Sequence, residues 1–239
     1  GEIFYQEYNS VVMLKPWSRF TRGTLKMDAG AAVVKLDKGE IRRVEAENAK
    51  GTDKYPNPQI DNAAERLEMQ MGEGGAVEKI LGERNVKMVS MSSAGKTTLT
   101  SDRVDMEFEA VKGESLLRKA TGRGNSKVES QPAAQTAQAR LLRSDVIEMT
   151  MRDGGRELEL VETHTPGQLE FLPVGAAQRY RRMDGERIWI QYGPENKISS
   201  FHSVNVSTTT KTPKQPDALT WSDLIQARFE PKTGQLTEL

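Results

Sequence analysis

The chain of 239 residues contains no cysteine, which removes disulfide staples, thiolate nucleophiles and thiolate metal sites together. Histidine is nearly absent as well. His164 and His202 are the only two, and neither stands at a spacing from carboxylates that suits a zinc centre or a Ser/His/Asp triad. Charge of one sign is also missing: Lys+Arg and Asp+Glu number 34 each. No whole-chain field therefore draws in nucleic acid or an anionic membrane, and any partner must be recognised locally. Long apolar runs are lacking too, since no window approaches the roughly 18 consecutive apolar residues of a membrane span. The start, Gly1-Glu2-Ile3-Phe4-Tyr5, has neither an initiator Met nor the apolar core of a signal peptide, and residues 232–239 read as a turn followed by an unfinished strand. The expectation is an excised or processed piece of a longer chain, with residues 1–239 forming one elongated domain and any membrane anchor lying outside it.

What is present is a repeat. Counting from Ala29, Ala64, Ser101, Ser144, Gly185 and Ser222, the third, fifth and seventh residues further on are apolar in every case. The triplets are Ala32, Val34, Leu36; Leu67, Met69, Met71; Val104, Met106, Phe108; Ile147, Met149, Met151; Ile188, Ile190, Tyr192; and Ile225, Ala227, Phe229. Mostly polar residues separate them, as Arg103, Asp105 and Glu107 do. Strict alternation places one face of a strand against a core and the other in water. Each triplet runs into turn chemistry, such as Asp37-Lys38-Gly39, Asp153-Gly154-Gly155 or Gly193-Pro194-Glu195-Asn196, where Gly and Asn supply the positive φ of hairpin turns. An apolar-spaced strand then returns, so each unit is a hairpin. Further short strands are expected over 85–89, 126–129, 168–172 and 205–208. Loops are expected over 53–58, 131–138 and 208–216, where prolines or low complexity interrupt the rhythm.

A single hairpin cannot bury its apolar face alone, so neighbouring units must stack. The predicted architecture is all-β: an elongated antiparallel β-jelly-roll or folded half-pipe of about six hairpin units, with open sheet edges at both ends that invite pairing with another strand. The inward positions are rich in methionine, a flexible and polarisable side chain. They suit either an ordinary core or a groove that adapts to fatty chains.

Other motifs carry little. Ser93-Ala94-Gly95-Lys96-Thr97-Thr98 resembles the end of a phosphate-binding loop, but Ser90 stands where its first glycine belongs and no helix is expected to follow. Gly122-Arg123-Gly124 begins like a dinucleotide fingerprint, but Lys127 takes the place of the last glycine, and it reads as a turn. No two acidic residues are singled out as a glycosidase pair. The densest basic cluster, Arg179, Arg181 and Arg182, falls in an insertion over 174–183; it reads as a solvated loop or as a contact for lipid phosphates or an acidic partner. Trp189 lies on the outward parity of its strand.

The segments Gly39-Glu40-Ile41-Arg42-Arg43-Val44, Ser101-Asp102-Arg103-Val104-Asp105-Met106-Glu107-Phe108 and Lys119-Ala120-Thr121-Gly122-Arg123-Gly124-Asn125-Ser126 resemble the repeat of the lipopolysaccharide-transport periplasmic proteins, the LptA/LptC and organic-solvent-tolerance group. The similarity is a diffuse pattern over residues 23–239. It is degraded at Leu81-Gly82-Glu83-Arg84-Asn85 and at Thr163-His164-Thr165-Pro166-Gly167, and it is lengthened by insertions over 131–139 and 174–183. The resemblance implies a V-shaped β-jelly-roll that holds acyl chains of lipopolysaccharide or another lipid, joins other transport components edge to edge in the periplasm, and catalyses no reaction. Carried over to this chain, the lipid-facing positions are Leu67, Met69, Met71, Val104, Met106, Phe108, Ile147, Met149, Met151, Ile188, Ile190 and Tyr192. No cofactor, metal or nucleic acid is implied. The competing readings are an envelope assembly module whose core is filled by its own side chains and, ranked last, a glycan-active enzyme on a β scaffold.

Overall fold

The computed structural model describes residues 1–22, 25–54, 59–93, 95–112, 114–133, 138–173, 179–230 and 236–238. The strands are β1 (Glu2–Gln6), β2 (Val11–Lys15), β3 (Ser18–Arg22), β4 (Leu25–Ala29), β5 (Ala32–Asp37), β6 (Glu40–Lys54), β7 (Gln59–Met71), β8 (Val77–Ser92) and β9 (Gly95–Val111). They continue with β10 (Glu114–Pro132), β11 (Ala139–Met151), β12 (Leu158–Thr163), β13 (Gly167–Leu172), β14 (Tyr180–Gly185), β15 (Arg187–Tyr192), β16 (Ile198–Lys211), β17 (Ala218–Phe229) and β18 (Leu236–Glu238). All pair antiparallel in one continuous sheet, with 3-10 turns over Glu7–Asn9, Glu73–Gly75 and Pro194–Asn196 as the helical content among the described residues. The all-β half-pipe is therefore the observed architecture.

The sheet is folded along a line of bends. Long strands cross this line and change there: Asn48, Arg84, Asn85, Asn125 and Asn205 take left-handed backbone angles, as does Gly124 at φ 78°. The register slips at the same level, between Ala63 and Arg66, between Glu83 and Val86, and between Arg123 and Ser126. Asn tolerates this conformation and Gly enters it without a Cβ penalty, which is why these residues mark the fold line. Further along, the chain breaks at the bend, so that β12 and β13 together, and β14 and β15 together, each do the work of one bent strand, with β12 and β15 on one side of the corner and β13 and β14 on the other.

Each bend leaves backbone groups without their ladder partners, and small hydroxyl side chains accept or donate in their stead. Ser101 Oγ lies 2.9 Å from the carbonyl oxygens of both Arg103 and Arg123, which share its one proton, and 3.0 Å from Ser126 Oγ. Ser144 Oγ lies 3.0 Å from the Thr165 carbonyl oxygen, and Thr163 Oγ1 accepts from the Ile188 N–H at 3.0 Å. Ser203 Oγ donates to the Arg187 carbonyl at 2.7 Å. Of the six small residues from which the repeat is counted, Ala64, Ser101, Ser144, Gly185 and Ser222 lie at these bends and register slips.

Two walls result. In the first, cross-strand neighbours form an unbroken inward row: Val34, Val44, Met69, Ile80, Met106, Ala120, Met149, Val161, Ile190, Phe201 and Ala227. In the second, Met88, Leu99, Val128, Leu142, Leu169 and Met183 form the corresponding row. Side chains of both walls belong to a single packed cluster that includes Leu99, Leu142, Leu169, Val104, Ile147, Met149 and Ile190, so the walls face one another. A second cluster, built on Met27, Val34, Val44, Leu67 and Met69, continues the core toward the chain's beginning.

Several local expectations change. The segments over 85–89, 126–129 and 205–208 are the far arms of bent strands, because β8, β10 and β16 run on through the fold line. Gly122-Arg123-Gly124 is a bend inside β10 and not a hairpin turn. The loops expected from 53 and from 208 begin later: β6 reaches Lys54 and β16 reaches Lys211, because edge pairing with β4, β14 and β17 supplies hydrogen bonds there. Residues 55–58, residues 134–137 of the loop expected over 131–138, and residues 174–178 lie outside the described residues.

Candidate functional site

Of the twelve proposed lipid-facing residues, Leu67, Met69, Val104, Met106, Ile147, Met149, Ile188, Ile190 and Tyr192 are buried, and Met71, Phe108 and Met151 are partly buried. The structure brings them onto one inward face, but at three depths. Nearest the bend, Val104 and Ile147 are wholly enclosed; at the middle level Met106 and Met149 are 6% and 3% exposed. The apex of the V is thus filled by the protein itself. The third level, Leu36, Met71, Phe108, Met151 and Ile198, stands at the mouth and is only half covered.

Two cavities open at this mouth. One, of about 480 Å³, is bounded by Phe20, Leu25 and Met27 of the second wall and by Ile41, Val44, Met69, Met71 and Val77 of the first. The other, of about 620 Å³, lies between Leu169 and Phe171 on one side and Leu158, Ile190, Tyr192, Ile198, Phe201 and Phe229 on the other. Its upper margin is polar, with Ser90, Thr97, Ser130 and Arg140. These residues are cross-strand neighbours in the outermost inward row of the second wall, which reads Leu25, Asp53, Ile60, Ser90, Thr97, Ser130, Arg140, Phe171, Arg181, Thr210 and Ala218. Sequence reasoning missed Arg140, because strand parity reverses at the bend and only the first-wall arms show the clean apolar rhythm.

The arginine cluster divides. Arg181 has inward parity and is exposed at the mouth, whereas Arg182 points outward and holds Asp184 at 2.7 Å. Burial alone raises the Asp184 carboxyl, but hydrogen bonds from Arg182 and Gln168 outweigh it and hold the group below its ordinary value. Arg179 is exposed, and its carbonyl accepts from Gln138 Nε2 at 2.9 Å. Arg181 and Arg182 lie at the start of β14 and not in a solvated loop, since their backbone pairs with β13 and β16, whereas Arg179 precedes the strand.

On the outer face, the strand register assembles a group that the linear sequence conceals. One ligand atom each of Glu148, Glu162 and His164 lies within 4.8 Å of the others. Lys119 reaches Glu148 at 2.8 Å and Arg187 reaches Glu162 at 3.1 Å, so both carboxylates already have cationic partners. Trp189 is outward, as its parity predicts, and is covered by its own neighbours: His202 stacks on it at 4.4 Å and the Arg187 guanidinium lies 4.8 Å from its ring centre. Burial pushes the His202 pKa down.

The two ends of the sheet expose apolar side chains. Ile3, Phe4 and Tyr5 do so on β1, whose one partner among the described residues is β2, and Leu219, Trp221 and Leu224 on β17. The short β18 covers β17 only at Arg228 and Phe229, leaving the rest of that edge open among the described residues. No helix among the described residues is long and apolar enough to cross a membrane. Comparison of the chain with protein-family models, with curated proteins and with solved structures returns no match.

Proposed function

We propose that the chain is a non-catalytic carrier of lipopolysaccharide or a similar amphipathic lipid, working in the periplasm and joined edge to edge to other β-jelly-roll components. The observation that carries this reading is the apolar cavity at the mouth, where the buried Tyr192 and the half-covered Ile198, Phe201 and Phe229 surround a space large enough for a hydrocarbon chain. Each CH₂ moved from water into such a site contributes about 0.8 kcal/mol. The lipid-facing set is accordingly narrowed to the mouth residues, with Met106 and Met149 supporting the fold beneath them. Open edges at β1 and β17 suit strand addition.

Mass spectrometry of the natively extracted protein tests this. Co-purified lipid is expected, and it should disappear from Ile198→Asp, whose site is half exposed and tolerates a charge. Protein free of lipid, with Ile198→Asp indistinguishable from wild type in binding added lipid, overturns the reading.

Burial of Met106 and Met149 favours a second reading, an assembly module with a self-filled core. That reading expects no lipid, and oligomers that dissociate when Trp221→Lys charges the open edge.

A further inference from the structure

Arginines in this chain are mostly neutralised by carboxylates. Arg19 holds Asp28 at 2.5 Å, Arg43 holds Glu68 at 2.6 Å, Arg103 holds Asp105 at 2.8 Å, Arg118 holds Glu109 at 2.5 Å and Arg187 holds Glu162 at 3.1 Å. These pairs lie on outer faces or strand margins, where both partners keep contact with water. Arg140 is the exception that matters. It projects from the inward row of the second wall, between Ser130 and Phe171, and no carboxylate among the described residues pairs with it. It lines the same cavity as Tyr192, Ile198, Phe201 and Phe229.

We propose that Arg140 is an anion-binding subsite at the mouth of this cavity, holding the phosphate or carboxylate of an amphipathic ligand whose hydrocarbon part lies against Tyr192, Ile198, Phe201 and Phe229. This deepens the carrier reading and rests on it. A guanidinium drawn out of water without a counter-ion is a standing cost that a bound anion relieves. Its planar fork matches phosphate or carboxylate with two parallel hydrogen bonds. Burial does push the Arg140 pKa down, and the nearby Tyr192 only partly opposes it, yet an arginine stays charged through the physiological range. The hydroxyls of Ser90, Thr97 and Ser130 follow along the same row and can donate to further anionic oxygens. Of the other charged groups at this cavity, Lys96 is exposed, and Glu195 is neutralised by Lys197 at 2.9 Å. Most of the apolar lining comes from the first wall, with Leu169 and Phe171 added from the second, and the cationic margin lies on the second wall alone, which orients a ligand with its head toward the second wall.

Isothermal titration of the full chain with dodecyl phosphate, dodecyl maltoside and inorganic phosphate, each below any micellar concentration, tests the subsite. Wild type should bind dodecyl phosphate about 10-fold or more tightly than dodecyl maltoside, as one charge-assisted contact implies. Arg140→Gln should erase that difference without changing maltoside affinity or the thermal midpoint. Arg140→Lys should keep only part of it, and it carries the test if the Gln variant does not fold. Equal binding of the two alkyl ligands by wild type and Arg140→Gln alike overturns the subsite and leaves the carrier reading standing. Failure of both alkyl ligands to bind overturns both. Inorganic phosphate binding as tightly as dodecyl phosphate, and lost in Arg140→Gln, overturns the lipid source in favour of a small free anion.

Discussion

The two walls are cut from the same strands yet meet solvent differently. Going outward from the bend, the first wall stays apolar to its margin, through Val104, Met106 and Phe108 on β9 or Ile188, Ile190 and Tyr192 on β15. The second starts apolar with Leu99, Val128 and Leu142 and then turns to Thr97, Ser130 and Arg140 one row further out, while on the neighbouring strand Leu169 is followed by Phe171. Antiparallel pairing sorts these arms: strand ends near one set of hairpin turns build one margin, and strand ends near the other set build the opposite one. A trough with one oily lip and one polar lip can hold an amphipathic molecule in a single orientation, which two identical lips cannot do.

The largest test of that contrast puts one charge into each wall. Ile147→Asp, in the enclosed row of the first wall, should cost roughly 3 kcal/mol or more and leave the protein unfolded or near it in urea melts. Thr97→Asp, on the second wall's margin, should stay within about 0.5 kcal/mol of wild type. Equal damage from both would mean that the two lips are equally buried and the trough is closed.

Depth within the first wall gives the next test. Met149→Ala removes a packed side chain and should cost about 2–5 kcal/mol, whereas Met151→Ala at the half-covered mouth should cost clearly less. The bend itself is probed by Ser101→Ala, which strands the carbonyls of Arg103 and Arg123 and should cost about 1–3 kcal/mol. A neutral result there would show that water replaces the hydroxyl.

The smallest effect concerns the outer face. His202, stacked on Trp189, has its pKa lowered by burial, so the folded state takes up its proton less readily than the unfolded chain does. Its contribution to stability is full above the unfolded value of about 6.5 and is lost as pH falls below it. Denaturation midpoints should therefore decline from about pH 6.5 downward, and His202→Gln should flatten that limb.

The strands of the first wall were legible because Val104, Met106 and Phe108, and their equivalents in each unit, keep an uninterrupted period of two. The second-wall arms were harder to read. Parity reverses between Ser101 and Val104, and again between Ser144 and Ile147, so a single long strand reads as two unrelated short ones. The bends were hidden for a related reason: Asn125, Asn205 and Gly124 have the chemistry of hairpin turns, and local sequence does not distinguish a chain that turns back from one that kinks and runs on.

The sequence by itself determined the all-β class, the hairpin repeat and the identity of the inward apolar face, because alternation and turn residues are local properties of the chain. Tertiary structure alone decided that Met106 and Met149 lie under the opposite wall while Met151 remains at the mouth, and that Arg140 shares a cavity with Tyr192. Depth and proximity across a fold line depend on how far one wall leans toward the other, and that distance is set by packing between residues remote in sequence.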